Sequence, residues 1–371
     1  MAEVTPIPKE GDHKKPNNNR LVSLLPAFSK VCEKVALKQF MTFLESKQRL
    51  STEQCGNKRF HSTETSLIET TDIILEAMDK QKVTAVVLLD ISKAFDSLNH
   101  DILSLLSSAA LNWFSSYLSN RFQAVRINSE LSDKLPIQSG VPQGSILGPI
   151  LFNIYVNDLL SVRQCCKSKT YVDDNKLYIT FPVQQRASVV EDMNKGLTKI
   201  RNWCFDNRLL NASKTKLMLF GSRQMIAKIP NFNLSLLGKD LVSTRCARDL
   251  GVIFDHHLTF SDHTATCKTV SSCTSSLAQI NRAKHAFDKY LLITIIKGLF
   301  LSKMFYCSSI WSSPSVSVSN INMLQAIQNF AARIVTRSRK FDHITPILKQ
   351  LCWMPVRDHL FYCERYGTDQ P

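Results

Sequence analysis

The sequence predicts an α+β fold, with a strand-rich centre set between helical ends. Three observations predict it. VTAVVLLDIS (83–92) is a near-continuous apolar run of strand length, as for a strand covered on both faces. SKTYVDDNKLYIT (168–180) places β-leaning residues on either side of a tight acidic turn. Stretches of amphipathic helical spacing lie before and after both.

At 371 residues, 44% apolar and 21% charged, the chain reads as globular and long enough for two or three subdomains. Its net charge of +15 is unevenly placed: residues 1–60 hold 11 basic against 6 acidic side chains and residues 262–371 hold 13 against 6, leaving the middle near balance. Basic flanks around a more acidic centre suit a polyanion held on both sides of a metal site. Eleven cysteines, an odd count without a C-x-x-C pair or zinc spacing, are expected to be reduced intracellular thiols. The run YLLITIIKGLFL (290–301) is too short to span a bilayer and contains Lys297, so it predicts a buried helix and no membrane partner. MAEVTPIPKEGDHKK lacks the apolar core of a secretory signal, and export is not expected.

Residues 1–19 read as polar, with HKKPNNN a loop. From Ala27 the spacing predicts a helix, with Val31, Val35 and Leu37 among its apolar members. Ser62 is an N-cap, Glu64 lies in the first turn, and Leu67, Thr71, Ile74, Leu75 and Met78 form one face of a second helix. The greasy strand then ends on Asp90. Alternation around Val125 and Ile127 leads to a Gly/Pro-rich segment opening a helix to about Leu160. Val189, Met193, Leu197, Ile200 and Cys204 mark a further amphipathic helix. TKLMLFG is a strand, DLGVIFDHHLTF a short hairpin, and from about His263 the pattern is mostly helical.

A charge ending a buried strand is costly unless paired or metal-bound. If the strands bearing Asp90, Asp173 and Asp174 share a sheet, the three carboxylates converge, and divalent cations would offset their repulsion. Two such ions would clamp the attacking and leaving oxygens of a phosphoryl transfer. Oxygen-only ligands favour Mg²⁺ or Mn²⁺.

YVDD (171–174), LLDISKAFDSLNH (88–100) and SGVPQGSILGPILFNIYVNDL (139–159) resemble the catalytic motifs of a reverse transcriptase of a non-long-terminal-repeat, jockey-like retrotransposon. RLVSLLPAFSKVCEKV, NASKTKLM, LGVIFDHHLTF and QNFAARIVTRSRKFDHITPILKQLCWMPVR are similar to further motifs, in the family's order. The resemblance implies a right-hand polymerase with fingers over 1–82, a palm over 83–261 carrying an insertion around 112–138, and a helical thumb and post-thumb segment over 262–371. It implies an RNA-directed DNA polymerase using two Mg²⁺ ions, an RNA template, a DNA primer or target and deoxynucleoside triphosphates, working in the nucleus. Carried over by position, Asp90, Asp173 and Asp174 are metal ligands. Phe95 screens the ribose 2′-hydroxyl; Gln143 and Gly144 lie against the nucleotide and template; Arg20, Lys58 and Arg59 reach the triphosphate. Lys214 or Lys216 is a general acid, and Arg333, Arg337, Arg339 and Lys340 grip the duplex backbone.

The segment DILSLLSSAALN is shorter than its family counterpart, which predicts one helix there and a strain on the register of the Asp90 strand. The family's upstream endonuclease domain lies outside this sequence, as for a partial reading frame. The other reading is a truncated, inactive remnant that retains at most nucleic-acid binding.

Overall fold

The computed structural model describes residues 2–9, 12, 14–91, 95–98, 108–159, 166–207, 214–265, 267–312 and 316–366. The order begins β1 (Ala2–Pro8), β2 (Asn19–Leu24), α1 (Ala27–Ser46), α2 (Thr63–Asp79), β3 (Val83–Asp90), α3 (Ser108–Leu118), β4 (Phe122–Ile127), β5 (Glu130–Leu131) and β6 (Leu135–Pro136). It continues with α4 (Gly148–Tyr155), β7 (Lys167–Tyr171), β8 (Asp174–Phe181), α5 (Arg186–Asp206), β9 (Lys216–Phe220), α6 (Arg223–Ala227), β10 (Asn233–Leu236), β11 (Lys239–Val242), β12 (Cys246–Asp249) and β13 (Val252–Asp255). The rest is helical: α7 (Ser261–Ala265), α8 (Cys267–Ala283), α9 (Lys289–Ile296), α10 (Ser302–Met304), α11 (Ser308–Trp311), α12 (Val318–Thr336), α13 (Ile344–Gln350) and α14 (Val356–Tyr366). This is the α+β class the sequence predicts.

The central sheet has the order β7-β8-β3-β9, all antiparallel neighbours. Alternation along β3 sends successive side chains to opposite faces. Ala85, Val87 and Leu89 pack against α4 and α5 through Ile150, Phe152, Met193 and Leu197. Val86, with Met218 and Phe220 of β9, packs on the other face against α2 and the C-terminal helices through Leu67, Ile74, Leu292 and Ile296. Both faces are covered, which is why β3 is apolar from Ala85 to Leu89.

The short segment before α3 does not displace β3. Its pairing with β8 runs unbroken from Val83↔Phe181 to Asp90↔Asp174, so the expected strain on register is corrected. Residues 101–107 of that segment, and Cys165, lie outside the described residues.

Four further expectations change. Residues 1–19, read as polar with a loop at HKKPNNN, also hold a strand: β1 pairs antiparallel with β2 and parallel with β4. Ala2 and Val4 point inward, while Pro6 and Pro8 disguise a strand that sits beside only short partners. On α1, Val31 and Val35 are exposed, and the inward face is Glu33, Phe40 and Leu44. On α2, Ser62 caps as predicted, with a reciprocal bond from Thr65, but Leu75 faces solvent. The helix expected to reach Leu160 ends at Tyr155. The α5 face is as read, with Val189, Met193, Leu197, Ile200 and Cys204 all buried. The eight cysteines whose side chains are described are free. No helix among the described residues is long and apolar enough to cross a membrane.

Candidate active site

Strand pairing builds the acidic end of the sheet. Asp90, the last residue of β3, lies directly opposite Asp174, the first of β8, and cross-strand Cβ atoms of such a pair stand about 4.5–5.5 Å apart. Asp173 occupies the two-residue turn between Tyr171 and Asp174. Both hairpin aspartates reach solvent, yet protein crowds them. Burial first, with a smaller contribution from the charge of Asp90, raises Asp173 above the usual carboxylate range against the opposing effects of a backbone hydrogen bond and Arg20. Burial, followed by the charges of Asp173 and Asp249, lifts Asp174 to about 6. The three aspartates are neighbours, but among the described residues no three His, Cys, Asp or Glu side chains close into a ready-made metal cage.

The turn itself is unusual because Val172, a β-branched residue, has φ 56°, where such side chains are strained. Its conformation is braced from a distance. Gln54 Oε1 accepts from the Val172 N–H at 3.0 Å and the Gly56 N–H at 2.8 Å. The Cys55 N–H donates to the Thr170 carbonyl, and the Thr170 N–H to that of Glu53, so residues 53–55 run beside β7. Asn153 Nδ2 donates to the Gly56 carbonyl at 2.8 Å. Asn175, buried, donates to the Asp173 carbonyl and accepts from Thr170 Oγ1.

Arg20, exposed on β2, acts on Asp173 by its charge. Gln143 and Gly144 sit in a loop folded onto two neighbours. The Gln143 carbonyl accepts from the Ser23 N–H at 2.7 Å, and Gln143 Nε2 donates to Asp96 Oδ1 at 2.9 Å. Gly144 has φ +113°, and a Cβ there would meet the Ser23 carbonyl oxygen at 2.9 Å, so glycine is required. Phe95, half-buried, packs on Phe152 with centroids 5.3 Å apart, and its carbonyl accepts from the Val141 N–H. Where this loop enters α4, buried Glu33 accepts from the backbone N–H groups of Ile146 and Leu147 at 2.6 and 3.3 Å, a carboxylate meeting the positive end of a helix.

The remaining basic candidates divide. Lys58 is half-buried and donates to the Ser51 carbonyl at 2.7 Å; burial lowers its pKa. Arg59 is exposed, over the Phe60 ring. Lys216 pairs with Leu88, two residues before Asp90, and is exposed, as is Lys214. Arg333 and Arg337 spend hydrogen bonds on the carbonyls of Asp342 and Phe287. Arg339 and Lys340 face solvent. Sequence reading passed over Gln54 and Glu33. A signal existed for Glu33, which lies seven and eleven residues before Phe40 and Leu44 on the inward face; Gln54 gave none.

Residues 7–254 match the family described as reverse transcriptase (RNA-dependent DNA polymerase). The chain is similar to the "Probable RNA-directed DNA polymerase from transposon X-element" of Drosophila melanogaster, at 27% identity over 97% of this chain and 40% of that protein. It is also similar to the RNA-directed DNA polymerase from mobile element jockey of Drosophila melanogaster, at 24% identity over 83% of this chain and 34% of that protein. It therefore spans well under half the length of these relatives. Among solved structures, apo telomerase from Candida tropicalis is similar at 13% identity and TM-score 0.48, covering 94% of this chain and 59% of that one. Matched over 248 contiguous positions that include every strand of the central sheet, the chain belongs to the reverse transcriptase family.

Proposed function

We propose that the chain is the polymerase portion of a non-long-terminal-repeat retrotransposon and extends a DNA primer on an RNA template. The observation that carries this is the register placing Asp174 opposite Asp90 with Asp173 in the adjoining turn. In this reading the fingers are 1–82, the palm 83–261 with its insertion around 112–138, and the thumb and post-thumb segment 262–371.

An all-oxygen donor set in which neighbouring carboxylate charges raise Asp173 and Asp174 fits a hard cation, with water and nucleotide phosphates completing the shell. Asp90, Asp173 and Asp174 would hold the Mg²⁺ or Mn²⁺ ions. Those ions supply charge neutralisation at the attacking and leaving oxygens. Arg20 and Arg59 orient the triphosphate as charge-assisted donors; Lys58, held at Ser51, adds charge more than contact. The Gln143–Gly144 backbone lies flat against the nucleotide, and Phe95 excludes a 2′-hydroxyl. Lys214 or Lys216 gives a proton to departing pyrophosphate. Arg339 and Lys340 hold the phosphate backbone without reading sequence, with Arg333 and Arg337 shaping the segment that carries them. Copying of an element's RNA into chromosomal DNA places the protein in the nucleus.

Primer extension on an RNA template, with Mg²⁺ and deoxynucleotides, tests this beside Asp173→Asn/Asp174→Asn. Extension abolished by the double substitution is expected. No extension by a folded parent chain that still binds duplex in a salt-dependent way refutes the polymerase reading and favours the binding-only remnant.

A further inference from the structure

Two basic segments meet on the C-terminal helices, outside the span matched to the family. Arg337, the residue after α12, donates through Nη2 to the Phe287 carbonyl at 3.2 Å and joins the α12–α13 turn to the chain entering α9. Residues 284–290 and 333–343 together hold six Lys or Arg against two Asp. Both carboxylates are spent on backbone: Asp288 accepts from the Leu291 N–H at 2.8 Å, and Asp342 from the Arg339 N–H at 2.6 Å. The surface is therefore positive, which suits a polyanion.

Two open aromatic rings stand on it, each directly after a lysine. Tyr290, after Lys289 at the start of α9, is 84% exposed, and Phe341, after Lys340, is 91% exposed. A single exposed apolar side chain is ordinary. Two rings among cations are the pattern of a surface on which bases stack while their phosphates are neutralised. A firm turn presents Phe341: the Asp342 N–H closes on the Arg339 carbonyl at 3.2 Å, and the Arg333 side chain holds the Asp342 carbonyl at 3.1 Å. In a duplex each base already has stacked neighbours, so an open ring favours an unpaired strand.

We infer that Phe341 and Tyr290 form a stacking platform for unpaired RNA, with Lys289, Arg339 and Lys340 on its phosphates. The choice of RNA rests on the polymerase reading above, since a primer is paired as it grows and the strand left unpaired is the template.

The test is fluorescence anisotropy of the full chain with a labelled, unstructured RNA of about 12 nucleotides, within the site sizes of such platforms, and with a blunt RNA duplex of the same length. Phe341→Ala and Tyr290→Ala each weaken single-strand binding about tenfold, the loss of one stacked base, and leave duplex binding within roughly twofold. Phe341→Trp restores the affinity. Neither alanine variant changes the salt dependence, whereas Arg339→Gln/Lys340→Gln lowers the slope of log affinity against log salt by about 1.4, two phosphates at roughly 0.7 each. Phe205→Ala, which removes an 80% exposed ring of α5 on the other face of the sheet, binds like the parent. Single-strand affinity within roughly twofold of the parent in either platform variant, or an equal loss on duplex or in Phe205→Ala, overturns the inference. Single-stranded DNA of the same sequence bound more tightly than the RNA overturns the assignment to RNA. Failure of the polymerase reading shows instead as absent primer extension, and the binding series still decides the platform.

Discussion

Gly56→Ala offers a direct test of how the acidic turn is held. A Cβ on Gly56 would stand 2.5 Å from Val172 Cγ2 and 2.6 Å from the Val172 nitrogen. Neither can yield cheaply, since one belongs to a β-branched side chain and the other is backbone already bonded to Gln54. Overpacking of this kind costs about 1–3 kcal/mol, and weakening the buried hydrogen bond adds about 1 kcal/mol. For a chain of 371 residues the expected fall in Tm is roughly 3–5 °C by the usual size scaling. Displacing the turn by about 1 Å moves Asp173 and costs about a hundredfold in extension rate. Differential scanning fluorimetry reads the first effect and single-nucleotide primer extension the second. Gly298→Ala is the control, because nothing lies within 4 Å of its added Cβ, and it should be neutral or slightly stabilising. A Gly56→Ala protein that melts and extends like its parent would refute the brace.

Other predictions follow from single residues. Glu33→Ala leaves the Ile146 and Leu147 N–H groups without their acceptor and should cost about 1–3 kcal/mol, measured by urea unfolding; a loss below about 0.5 kcal/mol would mean that water replaces the carboxylate. Burial, aided by Arg248, lowers His263 to about 4. Its folded pKa lies below its unfolded value of about 6.5, so its contribution to stability is present above pH 6.5 and lost as pH falls toward 4. His263→Gln should flatten that part of the Tm–pH curve; a slope unchanged from the parent would assign the loss to other groups. Phe95→Ala removes the ring packed on Phe152 and should raise ribonucleotide incorporation in competition assays, and unchanged sugar selectivity would remove Phe95 from that role.

Local patterns in the sequence determined a good deal. The strand over 83–90, the acidic hairpin, the α2 cap at Ser62 and the inward face of α5 follow from periodicity and turn chemistry within a few residues. Those signals are strong because one element, with its own neighbours along the chain, satisfies them. The meeting of the three aspartates was legible for the same reason, Asp90 and Asp174 sitting at strand ends and Asp173 in the tight turn beside them.

Tertiary structure decided what depends on partners far along the chain. Gln54 braces Val172 across 118 residues, and Glu33 caps the entry to α4 across 113. Nothing near Gln54 announces a buried role. β1 exists as a strand because β2 and β4 give it partners, despite its prolines. Arg333 and Arg337, equivalent to Arg339 in sequence, are drawn onto carbonyls that only the folded helices bring near. A polar side chain's role is set by whether the fold supplies it a partner in a low-dielectric place, and that supply is a property of three dimensions.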